Sequence, residues 1–246
     1  YVDNLVYDGF PDIGVSTQAL ESRAQRKSLG LPQTQRGGVL VTQISHGGSA
    51  WGVLEIGDVI LAIDNVPLAS DGTVVLREGE AIHYRYVVTR RHVGDRVPVT
   101  VWRQGHEVTC MLELMPPSIL VEEDRFDVRP SYYIYGGLLF VPLTRDYLKT
   151  WGDSWWNAAP RDLVHLYEAG IVSHDRQQVV VMQKVLADRA NAGYHGFENI
   201  VVTSVDGMPI RSLAHLVELV ETNHRPYVVF GGSEGQQLVL ERREVR

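Results

Sequence analysis

The stretch GGVLVTQISHGGSAWGVLEIGDVILAIDNVPL, residues 37–68, decides the fold because its pattern occurs twice in the chain. Residues 178–210 read QVVVMQKVLADRANAGYHGFENIVVTSVDGMPI. Each copy has an apolar strand with a glutamine near its end, a loop of small residues, a second apolar strand and an Asp-Asn or Asp-Gly turn. Gln43 precedes Asp64 by 21 residues, and Gln183 precedes Asp206 by 23. Self-similarity at such an interval predicts two copies of one fold unit.

Composition places the chain among ordinary globular proteins. Its 246 residues suit one or two domains, and 44% are hydrophobic and 22% charged. No apolar run approaches the roughly 20 residues that a membrane helix needs, so we expect no membrane span. The net charge of −7 disfavours general binding to the nucleic-acid phosphate backbone. Cys110 is the only cysteine, which excludes an intrachain disulfide and a thiolate metal cluster.

The elements around the first copy predict an α+β unit over residues 1–115. Alternating apolar residues and glycine turns predict the strands, and spacing near 3.6 residues predicts the helices. The predicted elements are a strand at Tyr1–Val6, a helix within Ala19–Leu29, strands at Val39–Ile44 and Val59–Ile63, a helix at Glu80–His92, and a hairpin of Val97–Arg103 with Glu107–Leu114.

A prolyl and acidic stretch over residues 116–130 predicts a linker, and residues 131–246 then form the second unit. Its first strands are predicted within 131–135 and 138–141, on either side of Gly136-Gly137. Thr144 and Ser212 are placed to cap helices. An insert near residues 151–170 carries three tryptophans, and a hairpin around 231–235 closes the unit.

Two glycines stand where a loop feeds a strand, Gly14 in Ile13-Gly14-Val15 and Gly137 after Gly136. Glycine lets backbone N–H groups point into a concavity and form a small anion nest. A strand edge beside such a nest can add an extended peptide as a further strand, with the nest taking the terminal carboxylate. The alternative is two ordinary glycine turns, because an apolar-Gly-apolar triplet is common.

Residues 54–68, LEIGDVILAIDNVPL, resemble the LxxGDxI signature of PDZ domains, particularly those of HtrA/Deg-type serine proteases. The resemblance implies two PDZ-like domains, each a small, partly open antiparallel β-barrel or sandwich capped by helices. It also implies a peptide groove between a strand and a helix. The residues that this resemblance assigns to peptide binding are Pro11, Asp12, Ile13 and Gly14 in the carboxylate loop, Val15, Ser16 and Thr17 on the pairing strand, and Tyr84, Val87 and Val88 on the helix.

The second unit is similar to the second PDZ domain of the Deg branch that includes plant members. The similarity rests on PSYYIYGGLLFVPL at residues 130–143 and QKVLADRANAGY at residues 183–194. Phe197-Glu198-Asn199-Ile200 departs from the Gly-Asp-x-Ile signature, so peptide binding is predicted for the first unit. In that branch the second domain can act in assembly or in occluding the first.

The sequence does not predict catalysis on this chain. A protease of the resembling family needs a Ser-His-Asp triad with its serine in a Gly-Asn-Ser-Gly-Gly setting, and no such motif occurs. We therefore expect the protease domain of the parent protein to lie before Tyr1. The nine histidines are scattered and no phosphate-binding glycine motif occurs, so neither a metal nor another cofactor is expected.

Three functional hypotheses remain. The chain is expected to bind extended apolar segments or C-termini of peptides and unfolded proteins, as the regulatory part of a serine endopeptidase in protein quality control. Alternatively, it assembles that protease into a homo-oligomer through a surface carrying Trp151, Trp155 and Trp156, unless these tryptophans fill the unit's own core. The third hypothesis is a stand-alone PDZ scaffold.

Overall fold

The structure, a computed structural model, describes residues 9–124 and 127–245. The strand predicted at Tyr1–Val6 lies outside these residues. The chain divides into two compact units, Tyr1–Ser118 and Ile119–Arg246. Each contains one principal antiparallel sheet with few helices, which confirms the predicted α+β class.

The first unit is built on a sheet with strand order β1-β2-β3-β7-β8, with β4 paired to β3 and a separate β5–β6 hairpin. Its elements are β1 (Val15–Ala19), α1 (Arg23–Ser28), β2 (Val39–Ile44), β3 (Val59–Ile63), β4 (Val66–Pro67), β5 (Thr73–Arg77), β6 (Glu80–His83), α2 (Arg85–Thr89), β7 (Arg96–Arg103) and β8 (His106–Glu113).

Alternation along β3 sets the two faces of this sheet. Ile60 belongs to the main core, which also includes Val99 and Leu112, and a register shift between Ile60 and Ala62 lets Ile63 join the same core. Leu61 points to the opposite face and packs in a smaller cluster. Successive side chains of a strand point to opposite faces, so an uninterrupted apolar strand is buried on both.

The helix predicted over Glu80–His92 is wrong in its first half. Residues Glu80–His83 form β6, which pairs with β5 so that Ile82 stands opposite Val74. Only Arg85–Thr89 is helical. The apolar spacing of Ile82, Tyr86 and Val87 suits a helix, but the side chain of Ile82 packs equally well against its neighbour on the paired strand.

The second unit has a similar strand order, with one more strand at the edge, β9, and with a longer connection between β10 and β11. Its sheet runs β15-β14-β12-β11-β10-β9, with β13 paired to β12. Its elements are β9 (Tyr133–Tyr135), β10 (Leu138–Pro142), α3 (Arg145–Leu148), α4 (Trp155–Ala158), α5 (Arg161–Ala169), β11 (Val180–Val185), β12 (Ile200–Val205), β13 (Met208–Pro209), α6 (Leu213–Thr222), β14 (Tyr227–Gly232) and β15 (Gln237–Glu241).

Both predicted helix caps form in this unit. The hydroxyl of Thr144 accepts the N–H of Tyr147 at 3.1 Å, and that of Ser212 accepts the N–H of His215 at 3.2 Å. On one face of the sheet, the buried rings of Phe140 and Phe230 lie 4.7 Å apart. Helices α3 to α5 cover the other face.

The second unit's core extends into the predicted linker. Leu120 and Val121 are buried among the side chains of α3 and α5. Glu122 forms an isolated β-bridge with Thr144. Residues 120–122 are therefore an ordered part of the second unit.

Candidate functional site

The loop before β1 is fixed by a buried serine. The N–H of Asp12 donates to the carbonyl of Met115 at 2.9 Å. The hydroxyl of Ser49 donates to the carbonyl of Asp12 and accepts the N–H of Met115 at 2.8 Å. Because Ser49 is buried, these bonds hold the loop in one position against the end of the sheet.

Gly14 turns the chain from this loop into β1. Its φ of +75° lies in the left-handed region, where glycine is favoured. A Cβ added at Gly14 would lie 3.3 Å from backbone atoms of Gly48 and Ser49. The N–H of Gly14 donates to Oδ1 of Asp12 at 2.6 Å. The carboxylate of Asp12 therefore already takes one donor of the predicted anion nest.

Strand β1 lies at the edge of its sheet. It pairs with β2 on one side, with a register shift between Ser16 and Thr17. Among residues 9–124, no strand pairs with its other side. An edge strand offers unpaired backbone N–H and C=O groups to another strand.

A cleft of about 430 Å³ opens beside this edge, between β1 and the start of α2. Its lining consists of Ser16, Thr17, His83, Tyr84 and Arg85. The hydroxyls of Thr17 and Tyr84 lie 3.2 Å apart and form a hydrogen bond across it. Because only 1% of Tyr84 is exposed, its hydroxyl is a fixed part of the cleft wall.

The cleft has a cationic end. Arg85 begins α2, and its backbone N–H donates to Nδ1 of His83 at 3.3 Å. Burial, and then the nearby charge of Arg85, lower the pKa of His83 below 6.5. His83 is therefore mostly neutral at pH 7, and Arg85 supplies the cleft's positive charge.

Three of the residues that the resemblance assigns to peptide binding line this cleft: Ser16, Thr17 and Tyr84. The other apolar residues assigned to the groove lie elsewhere. Pro11, Ile13, Val15 and Val88 are buried in the unit. Val87 lines a different cavity, of about 270 Å³, together with Asp64, Tyr86 and Arg91.

Sequence reasoning missed two lining residues, His83 and Arg85. They flank Tyr84 directly, but a helix running through Glu80–His92 would place these neighbours on different faces. The signal that could have found them is Glu78-Gly79 between the apolar runs 74–76 and 81–82, which is typical of a hairpin ending before Tyr84.

The three tryptophans of the second unit have different environments. Trp155 is buried and meets the ring of Tyr167 edge-on at 5.2 Å. Trp151 is partly buried against Tyr147. Trp156 is 53% exposed, so it alone of the three presents a largely open aromatic surface.

Within residues 9–124 and 127–245, no group of three or more His, Cys, Asp or Glu side chains could hold a metal ion. No helix in those ranges is long and apolar enough to cross a membrane.

The chain is similar in sequence to known proteins. Residues 121–246 match the PDZ domain family. The chain is 31% identical over 242 residues to "Protease Do-like 2, chloroplastic" of Arabidopsis thaliana, covering 98% of this chain and 39% of that protein. It is 34% identical over 222 residues to "Protease Do-like 4, mitochondrial" of the same plant, covering 89% and 39%. Among solved structures, "HtrA-type protease AlgW with decapeptide" is 33% identical, covers 44% of this chain and 30% of that chain, and has a TM-score of 0.33.

The matched residues make up half of the chain, and the chain therefore belongs to the PDZ domain family. Its two antiparallel sheets are consistent with two PDZ-like domains. More particularly, it is an HtrA/Deg-type PDZ region, homologous over most of its length to plant Deg proteases. It spans 39% of the length of each of these two plant proteins.

Proposed function

We propose that the first unit recognises extended peptide segments by adding them as a strand to β1. This proposal is carried by the edge of β1 beside the cleft, which no second strand covers among residues 9–124. Strand addition obtains affinity from backbone pairing and specificity from side chains that enter neighbouring pockets. Unfolded proteins are the natural source of extended, partly apolar segments.

The geometry favours internal segments over C-termini. The carboxylate of Asp12 accepts the N–H of Gly14, so a terminal carboxylate at this loop would meet a negative charge and one donor fewer. An internal segment carries no such charge. The cleft also offers the hydroxyls of Thr17 and Tyr84 and the cation of Arg85, which suit an acidic or hydrogen-bond-accepting side chain.

In this proposal, the chain is the substrate-recognition and regulatory part of an HtrA/Deg-type serine endopeptidase that acts in protein quality control. The support is the family and the relatives, whose names describe proteases. A protease domain in the parent protein would receive the captured segment.

Fluorescence anisotropy with a labelled ten-residue peptide tests the binding site. The peptide carries one glutamate among apolar residues and is compared with a free and an amidated C-terminus. We expect similar affinities for the two forms. Gly14→Pro should weaken both, because proline cannot adopt a φ of +75° and lacks the N–H.

Charge reversal supplies a test that leaves the backbone intact. Arg85→Glu should weaken binding of the glutamate peptide about tenfold, whereas Arg77→Glu, on an exposed strand away from the cleft, should not. If the folded Arg85→Glu protein binds as tightly as the Arg77→Glu protein, the cleft assignment is wrong.

A second candidate function is assembly of the parent protease, favoured by the exposed ring of Trp156. Trp156→Ser should then lower the mass measured by light scattering, whereas Met208→Ser, at a residue 55% exposed, should not. An unchanged mass for Trp156→Ser excludes this surface. A deletion across the insert would be a poorer test because Trp155 and Ala159 belong to the core.

A further inference from the structure

The first unit has a second cavity, of about 270 Å³, that is separate from the cleft beside β1. Tyr84 and Arg85 at the start of α2 line the cleft, whereas Tyr86 and Val87 of the same helix line the cavity. The two sites have no lining residue in common. What binds in the cavity is therefore a separate question from the peptide binding proposed for the cleft.

Strand β5 forms an apolar wall of this cavity. Three consecutive residues, Val74, Val75 and Leu76, line it. Neighbours on a regular strand point to opposite faces, but the pairing of β5 with β6 shifts register between Val75 and Arg77. Such a shift redirects side chains. Val74 is buried in the core, whereas Val75 and Leu76 are exposed, so the apolar wall runs from the core out to the surface.

The edge of the cavity already holds one carboxylate, that of Asp64. Asp64 and Asn65 form the turn after β3, with φ values of +52° and +63°. Oδ2 of Asp64 accepts hydrogen bonds from Nε of Arg91, at 2.9 Å, and from Nη2 of the same residue. An arginine just after α2 is therefore placed to bind a carboxylate at this site.

Arg90 is a second cation at the cavity, and its charge is not neutralised. Within residues 9–124 and 127–245, no carboxylate forms an ion pair with Arg90. Its guanidinium carbon lies 5.6 Å from the centroid of the Tyr86 ring, as in a cation–π contact. Because Asp64 neutralises Arg91, the charged groups that line the cavity leave one net positive charge, on Arg90. An anion that enters the cavity would meet this guanidinium.

The volume limits the ligand to a small molecule. A water molecule takes about 30 Å³ of the liquid, so the cavity corresponds to about nine waters. Sites for drug-sized ligands measure roughly 300 to 1,000 Å³. The cavity therefore has room for one carboxylate and a short apolar chain.

We propose that this cavity binds a small amphipathic carboxylate, with its carboxylate on Arg90 and its apolar chain against Val74 and Leu76. Hydrogen bonds from a guanidinium to a carboxylate are roughly twice as strong as those between neutral groups, and the planar guanidinium can pair with both oxygens. The apolar chain would remove part of the exposed surface of Leu76 from water. The ligand is thus selected by its charge at one end and by its apolar chain at the other.

NMR titration of the full chain with hexanoate tests the site, and hexanol and hexylamine are the matched neutral and cationic compounds. We expect saturable shifts of the methyl signals of Val74, Leu76 and Val87, with a Kd for hexanoate on the order of 1 mM. Hexanol and hexylamine should bind about tenfold more weakly, because neither can accept charge-assisted bonds from Arg90.

Two substitutions separate the charged contact from the apolar one. Arg90→Gln should weaken hexanoate about tenfold and leave hexanol unchanged. Leu76→Ala should weaken hexanoate and hexanol by the same factor, because both have the same apolar chain. The control is Arg23→Gln, at an exposed residue of α1 outside the cavity lining, which should change neither affinity.

The comparison of the three compounds uses the wild type and does not depend on the folding of any variant. If the cavity methyl signals do not shift at hexanoate concentrations about tenfold above 1 mM, the site is wrong. Shifts confined to Ser16 and Thr17 would place hexanoate in the cleft and would also overturn it. Equal affinities for hexanoate and hexanol would exclude the role of Arg90. Tighter binding of an amidated Glu-Leu peptide than of hexanoate would assign the cavity to a protein partner and overturn the small ligand.

Discussion

The N–H of Gly14 donates to Oδ1 of Asp12 across 2.6 Å, so the loop that leads into β1 carries its own carboxylate at the point where a peptide terminus would bind. A carboxylate two residues before a glycine can close this local turn without help from the rest of the fold. The preference for internal segments that we propose therefore depends on this one side chain.

Removing that carboxylate should change the preference. In Asp12→Ala the N–H of Gly14 is freed and the negative charge is lost, so peptides with a free C-terminus should bind several-fold more tightly than their amidated forms. Asp12→Asn keeps an acceptor and loses the charge, and should show a smaller change. Anisotropy titrations with both peptide forms measure the ratio.

A matched control is available on the same unit. Asp71 forms a similar turn by accepting the N–H of Thr73 at 2.9 Å, and it lies outside the cleft lining. Asp71→Ala should leave the ratio of the two affinities unchanged. An unchanged ratio in folded Asp12→Ala would show that no terminal carboxylate approaches Gly14.

The sequence predicts the paired central strands well because they are buried on both faces and end at turns with strong local signals. Val59–Ile63 is a continuous apolar run closed by Asp64-Asn65, and both turn residues have positive φ. The prediction of a helix at Glu80–His83 is wrong because the spacing of its apolar residues fits a helix and a strand equally well. Only the pairing with residues 73–77, a tertiary contact, decides between them.

The site was harder to predict than the fold. The run ending at Tyr135 is recognisable as strand-forming, but its composition does not say which edge it covers. The first unit's incoming chain bridges to Met115, and the second unit's pairs with β10. The local difference that permits a tight hairpin is the pair of successive glycines, Gly136 and Gly137. The first unit has Ile13 and Gly14 at these positions.

The ion pair of Asp58 and Arg103 should stabilise the first unit. Asp58 is 2% exposed, and it accepts bonds from Arg103 at 2.6 and 2.8 Å and from the N–H of Glu55 at 2.9 Å. Asp58→Ala leaves a partly buried guanidinium and a backbone donor without this acceptor, at a cost of about 3 kcal/mol. Urea unfolding followed by NMR signals of each unit measures it.

The exposed ion pair of Arg96 and Glu113 is the control for the buried pair of Asp58 and Arg103. Both side chains are more than half exposed, so Glu113→Ala should cost less than about 1 kcal/mol. Equal effects of the two substitutions would mean that the buried pair contributes no more than a surface one.

Alkaline pH should weaken the attachment of β9. Because burial and the bond to Glu221 raise the pKa of Tyr133 above 10.0 in the folded protein, its contribution to stability is fully present below pH 10.0 and is lost as pH rises through the folded value. The second unit should therefore lose more stability in wild type than in Tyr133→Phe as pH rises above 10.0. The control is Tyr132→Phe, at a tyrosine that is 66% exposed, and this protein should lose as much stability as the wild type.

Acid should change the cleft of the first unit through His83. Burial, and secondarily Arg85, lower its pKa below 6.5, so its contribution to stability is present above pH 6.5 and is lost as pH falls through the folded value. An NMR titration of the ring should give a midpoint below 6.5. The midpoint should rise in Arg85→Ala and stay the same in Arg77→Ala.

Peptide binding should raise the titration midpoint of His83, whereas burial lowers it. An acidic side chain in the cleft favours the protonated ring, so the bound peptide should raise the pKa of His83, and by linkage affinity should increase as pH falls toward 5. An amidated peptide with glutamine in place of glutamate should lack this increase. If both peptides show the same pH dependence, the acidic side chain does not lie beside His83 and Arg85, and the segment would have to run along β1 in another register.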